Sequence, residues 1–359
     1  SRSAHETAHV VVEGGSTFNC VFGGAGGFWL GQVGGKQHDS VIAFTNSTLD
    51  TSRFYLCGTN DTMFLHNSRI ILGSGGSSSF YMTGVSNQMY VTGTDVAFTN
   101  VHAMSLGTAS LISVADGVTA VFGDSFSASS AKNCHLKIGT NAVFSVPSIA
   151  SRSKDTDGDG SSGNVYEVGS GARVRISSMR ATTGVSGQTN LWCISGQVRT
   201  NLGLDLGTYA TSNGNRVELI GDDARLLCGL SVGGSTGHMT IGNTTNPDSI
   251  TVLFKPGPNG FDGEPPLTSE GYTFGQVKIH KANFEIDLRE YYAALPARGE
   301  VYRLPLIKTG IYSSMTGIDD LEELNAKAKI LPDGGRLVAE GRVLYCEFYK
   351  KPGLLILVR

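Results

Sequence analysis

Charge is scarce in this chain. There are 28 Lys and Arg against 31 Asp and Glu in 359 residues, a net charge of -3 that leaves no basic footprint for nucleic acid. Proline is sparse as well, at 10 residues. No window approaches the roughly 20 consecutive apolar residues that a membrane-spanning helix needs, so no membrane-spanning segment is expected. The six cysteines, Cys20, Cys57, Cys134, Cys193, Cys228 and Cys346, contain no CxxC pair and match no zinc spacing. Most sit at apolar strand positions and read as buried fillers, which leaves the redox compartment undecided. The isolated histidines His66, His102, His135 and His238 lack metal spacing. No Ser-His-Asp order or nucleophile elbow supports hydrolase chemistry. The glycine-dense stretch GGAGGFWLG from Gly23 lacks the lysine and following helix of a phosphate loop.

Glycine, by contrast, is abundant, at 48 residues. Its placement follows a rule that is clearest from Gln88 to Gly123. There, short apolar alternations (Met89 and Val91, Val96 and Phe98, Met104 and Leu106) are each closed by Gly or Asn, after which the cycle restarts at Ile112. Period-two alternation broken every few residues by Gly, Asn or Asp predicts short strands with one buried face and tight bends between them. The same phrase recurs from Val41 through Met63, Met89, Ile112, Leu136, Tyr166, Trp192 and Val217 to Met239. Most steps are roughly 22 to 26 residues, in the range of stacked solenoid repeats. The expected fold is all-β, a parallel β-helix with three strands per coil and a length on the order of 50 Å, from roughly ten coils about 4.8 Å apart.

Three regions follow. Residues 1–38 read as an N-terminal capping coil, with Phe28, Trp29 and Leu30 packed on the first full turn. Residues 39–245 read as regular coils interrupted by an acidic loop at 151–164, and 246–359 as larger final coils or a β-rich cap. In that last region prolines cluster and charge rises, and Ile318–Ala328 is the one expected helix, acidic in its first turn and basic in its last. A hydrophobic last strand, LLILV, should be buried against the cap. Asn87, Asn133, Asn164, Asn190 and Asn215 precede strands at the same phase, which predicts a hydrogen-bonded asparagine ladder at one corner of the coils.

Two features carry chemistry. Asp155, Asp157 and Asp159 followed by Gly160 reproduce half of a calcium loop, although the twelfth position is Tyr166 rather than Glu and no helices flank it. These aspartates are the candidate ligands for Ca2+; the other reading is a solvated acidic bulge. Downstream, aligning Val174-Arg175 with Val198-Arg199 places two arginines on successive coils, and Arg225 extends the row. Arg175, Arg199 and Arg225 are therefore candidate contacts for an acidic polysaccharide, because guanidinium forks pair with carboxylates. The plainer reading pairs these arginines with Glu167, Asp205 or Glu218.

The phrase N-x-Φ-x-Φ-x-G (Φ, apolar), seen in NQMYVTG, NCHLKIG and NLWCISG over roughly residues 9 to 245, resembles the β-helix passengers of bacterial secreted and autotransporter-type surface proteins. The resemblance implies a right-handed coil that is exported and serves as a structural, adhesive or scaffold element at the cell surface. Signal-peptide and membrane-barrel patterns are missing from these 359 residues, so a free secreted protein, a fragment or an assembly subunit are all open. On architecture alone, a tail-spike-like trimer is open too. The expected function is an extracellular adhesin or structural rod without catalysis, with self-association through lateral faces or ends and a surface glycan as the expected partners. The alternative is a calcium-dependent polysaccharide lyase using an arginine as base, or another β-helix enzyme that binds an acidic polysaccharide.

Overall fold

The computed structural model describes residues 7–20, 28–30, 38–73, 79–99, 103–122, 125–127, 132–146, 149–151, 162–176, 183–185, 189–200, 203–208, 212–229, 238–270, 277–296, 299–310 and 318–352. These residues form an all-β, solenoid-like stack of three long sheets. The first sheet has 12 strands, from His9–Val12 to Lys329–Leu331; the second has 13, starting at Thr17–Cys20; the third has 10, from Phe28–Leu30 to Val277–Ile279. Up to Val277–Ile279 the chain visits the three sheets in turn, so each strand pairs in parallel with the strand three places on.

Alternation sends every second side chain inward. In Val41–Thr45, Ile42 and Phe44 are buried while Val41, Ala43 and Thr45 face out. Parallel register places like on like. Met63, Met89, Ile112, Leu136, Tyr166, Trp192, Val217 and Val252 form one inward row of the first sheet. Aromatic rings stack along the interior, with Phe54 on Phe80 at 4.8 Å and Phe98 on Phe122 at 4.2 Å between centroids. Trp192 belongs to this interior, at 2% exposure.

The residue two places before many first-sheet strands takes a left-handed backbone. The dihedral φ is +59° at Asn60, +58° at Ser86, +56° at Ala109 and +57° at Asn133. Ala109 has no side-chain oxygen to favour that conformation, so its cost is met by a bond between rounds, its N–H donating to Lys132 O at 2.7 Å. The following residue points its side chain inward as a polar ladder. Ser40 N donates to Asp61 Oδ1 (3.0 Å) and Asp61 N to Asn87 Oδ1 (3.0 Å). Cys134 N donates to Asn164 Oδ1 (2.8 Å), Asn164 N to Asn190 Oδ1 (3.0 Å), and Asn190 N to Asn215 Oδ1 (3.1 Å). Asn133 is not a rung. It is the exposed left-handed corner residue, and Cys134 stands in the ladder in its place. At the opposite end of these strands Gly93 has φ +94°, and a Cβ there would lie 2.1 Å from Asn67 Oδ1, so a side chain has no room.

The sheet assignment of Met239 and the helix count are corrected. Met239 belongs to the third sheet, paired with Leu204 and Val277, and the first-sheet rung at that level is Val252. Every sheet uses the same apolar-x-apolar phrase, so the phrase alone does not say which sheet it joins. There are two α-helices among the described residues, Arg289–Ala294 (α1) and Leu321–Lys327 (α2), plus a 3-10 turn at Pro247–Ser249. The missed helix, α1, is six residues with no side-chain cap and no buried residue, too short to show a period. The strands of residues 9–30 pair in register with the following round, and Ile250–Lys255, Leu267–Ser269 and Val277–Ile279 carry all three sheets past residue 245. The second sheet then ends in antiparallel pairing of Glu300–Lys308 with Val343–Lys350, and of the latter with Arg336–Glu340. The LLILV segment lies outside the described residues.

The last strand of that sheet is met by α2. Asn325 Nδ2 donates to Leu337 O at 3.0 Å, and Leu337 N donates to Asn325 Oδ1 at 2.6 Å. At Leu337 one amide thus supplies both bonds that a further strand would make, which guards that point of an edge otherwise open to pairing.

Candidate functional site: a polar groove on the second sheet

The outer face of the second sheet carries two neighbouring rows near its C-terminal end. In one, Ser145, Arg175, Arg199, Leu227, Thr268 and Lys308 follow in register. In the other, Arg173, Gln197 and Arg225 do. Arg175 and Arg199 are therefore adjacent, whereas Arg225 sits beside Gln197, one row over from Arg199. The shift has a simple cause. Arg225 opens its strand, as Arg173 opens the strand two rounds earlier, while Arg175 and Arg199 are third residues of theirs.

Where Glu300–Lys308 turns away into antiparallel pairing, the face is bounded by a groove of about 560 Å³. Arg199, Arg225, Lys308 and Arg342 bring four cations to it, and Glu264 and Glu270 two carboxylates. Gln197, Thr268, Ser269 and Thr309 add hydrogen-bonding groups, and Leu227 and Pro265 an apolar floor. The ion pairs are stretched: Arg199 to Glu270 at 3.5 Å and Lys308 to Glu264 at 4.0 Å. With Arg199 45% and Glu270 30% exposed, such a pair contributes about 0–1 kcal/mol, little enough for a ligand anion to displace it.

Arg225 is built differently. Its guanidinium donates to Asp222 O and Ala224 O, both at 2.9 Å, and to Phe261 O. Burial lowers its pKa, with Asp262, Asp223, Glu264 and Asp222 pulling the other way. Three of its five N–H groups are spent on the main chain, so it is a fixed positive post.

The pairings suggested for the arginines are replaced by others. Glu218 is held by Arg216 at 2.5 Å, which also reaches Glu285 at 2.7 Å. Burial works against the Glu285 carboxylate, yet Arg216 and Lys329 together hold its pKa below the usual range. Glu167 lies 3.3 Å from His135, and Asp205 lies 3.9 Å from His238. Asp155, Asp157 and Asp159 lie outside the described residues, and among the described residues no group of three or more His, Cys, Asp or Glu is placed to hold a metal ion.

Lys308, Arg342, Glu264 and Glu270 were not singled out in the sequence. They come from the region where the repeat phase is lost, and only pairing across loops of unequal length brings them beside Arg199. Compared with protein-family models, curated proteins and solved structures, the chain matches none.

Proposed function

We propose that this chain is a right-handed parallel β-helix that acts outside the cell as a structural or adhesive rod, holding an acidic glycan in the groove of its second sheet without transforming it. The handedness follows from the strong preference of parallel crossovers. With 12 strands in the first sheet the rod is about 50 Å long, at roughly 4.8 Å per strand. Export to a bacterial surface rests on the resemblance of the repeat phrase.

The observation that carries the binding reading is the division of labour among the groove cations. Arg225 gives fixed charge, Arg199 and Lys308 are lightly held and can exchange their carboxylates for those of a ligand, and the hydroxyls and amide between them suit sugar hydroxyls. The exposed Arg175 extends the row by one strand.

The test pairs binding with turnover on a panel of uronate polysaccharides. Affinity that falls with salt and is reduced by Arg199→Ala, with no unsaturated product at any calcium concentration, is the expected result. Calcium-dependent product formation that disappears in Asp157→Ala would overturn the proposal in favour of a lyase. No binding of any acidic glycan would remove the adhesive role from this groove.

A further inference from the structure

The cations of the groove are not spread evenly along it. Down the outward row Arg175, Arg199, Leu227, Thr268, Lys308, charge stands at the two ends and is missing from the middle. Arg175 lies one strand from Arg199 at one end, and Arg342 directly precedes Val343, the strand partner of Lys308, at the other. Between the ends lie the half-buried Leu227 and the buried Thr268, whose hydroxyl donates to Pro265 O at 3.1 Å. Three strand steps of about 4.8 Å separate Arg199 from Lys308, about 14 Å in all. Each end is loosely matched with a carboxylate of the chain itself, Glu270 on Arg199 and Glu264 on Lys308. Arg225 stands two residues before Leu227, and Asp262, Asp223, Glu264 and Asp222 all pull on its charge. It raises the potential of the groove without offering the middle a place for a carboxylate.

We propose that the groove reads the spacing of charge: it takes a linear heteroglycan in which two uncharged sugars separate one acidic residue from the next, lying along the stack and across the strands. This narrows the acidic-glycan reading of the groove and rests on it. A pyranose unit advances a linear glycan by about the length of one strand step, so acids three units apart reach both ends together. Their carboxylates replace Glu270 on Arg199 and Glu264 on Lys308, where guanidinium and ammonium donors meet them. The two sugars between lay their C–H faces on Leu227 and Pro265, a floor that gains from burial of apolar surface and offers no counter-charge. A polymer acidic at every unit would bring two more carboxylates over that floor, desolvated, unpaired and close to the displaced Glu264 and Glu270. Selection therefore comes from what the middle rejects as much as from what the ends accept.

Calorimetric titration of the full chain with a galacturonan at graded methyl esterification tests it, because esterification removes charge and leaves the polymer backbone as it is. With carboxylates esterified at random to about two thirds, affinity per polymer unit should equal or exceed that for the unesterified polymer, although only about one third of the charge remains. The fully esterified polymer should not bind. Lys308→Ala should weaken binding of the two-thirds-esterified polymer as Arg199→Ala does, since both ends are needed. Leu227→Lys should improve binding of the unesterified polymer about threefold, by giving its middle charges a partner. Tighter binding of the unesterified polymer by the wild type, or a Lys308→Ala variant that binds the two-thirds-esterified polymer undiminished, overturns the spacing proposal and leaves the groove an acidic-glycan site that follows charge density. No binding at any level of esterification overturns both readings.

Discussion

Asn87 is the most informative single residue in the inner ladder, because its two side-chain atoms do different jobs in a site with no solvent. It is fully buried. Its Oδ1 accepts from Asp61 N at 3.0 Å, and its Nδ2 donates to Leu56 O at 2.7 Å, tying the first sheet to the end of a third-sheet strand in the preceding round. Asn87→Ala strands one buried N–H and one buried C=O. At about 1–3 kcal/mol for each unsatisfied group, the expected loss is about 2–6 kcal/mol. Asn87→Asp keeps the shape but turns an acceptor toward Leu56 O. It should be comparably destabilised at neutral pH and recover in acid, once the carboxyl can donate. Asp61 shows the complementary wiring, since its Oδ1 accepts from Ser40 N and its Oδ2 from Gly58 N at 2.8 Å. Asp61→Asn would aim an amide N–H at the Gly58 N–H and should destabilise even though it removes a buried charge. Urea unfolding followed by far-UV circular dichroism gives the size of these effects. Native-state amide exchange at Asp61 and its neighbours gives their location, which matters because stacked repeats need not unfold in one step. An Asn87→Ala midpoint equivalent to less than about 0.5 kcal/mol would refute the ladder as a source of stability.

Three further outcomes follow from the same geometry. Burial raises the Asp61 carboxyl above its ordinary 3.8 despite the bonds from Ser40 and Gly58. The folded state therefore holds that proton more tightly than the unfolded one. The carboxylate's cost is present at neutral pH and is relieved as pH falls through the raised value toward 3.8, so folding stability read from the urea midpoint should gain over that interval and should not in a variant lacking the carboxyl. Arg225→Ala should lower stability by about 1–3 kcal/mol by stranding its carbonyl partners, whereas Arg199→Ala should leave the thermal midpoint unchanged and act on glycan affinity alone. Cys57, Cys134, Cys193, Cys228 and Cys346 are free; of these, Cys134 is pushed up to about 11 and Cys228 and Cys346 to about 12, each by burial. Cys193, half-buried and raised to about 11 by burial with help from Glu218 and Glu167, is the only one of the five partly open to solvent. A thiol reagent on native protein at neutral pH should label none of the four buried thiols and Cys193 slowly; fast labelling of Cys134 would show that its ladder position is open.

What was legible in the sequence is what depends on neighbours along the chain. Alternation at Ile42 and Phe44 or Met89 and Val91 declares which side chains are buried, because successive residues of a strand point to opposite faces whatever lies beside them. Gly93 and the Asn corners declare the bends, because only certain residues tolerate those dihedrals. A three-sheet stack and its core residues follow from these. Local pattern could not assign Met239 to the third sheet, put Cys134 rather than Asn133 on the ladder, or place Arg225 beside Gln197. One residue of slip exchanges inside for outside without changing the phrase, and the slip is settled by bonds between rounds. The groove depended on tertiary structure most of all. Glu264, Glu270, Lys308 and Arg342 come from strands and loops of unequal length, and they face Arg199 only because the second sheet continues past the last regular repeat and then reverses into antiparallel pairing.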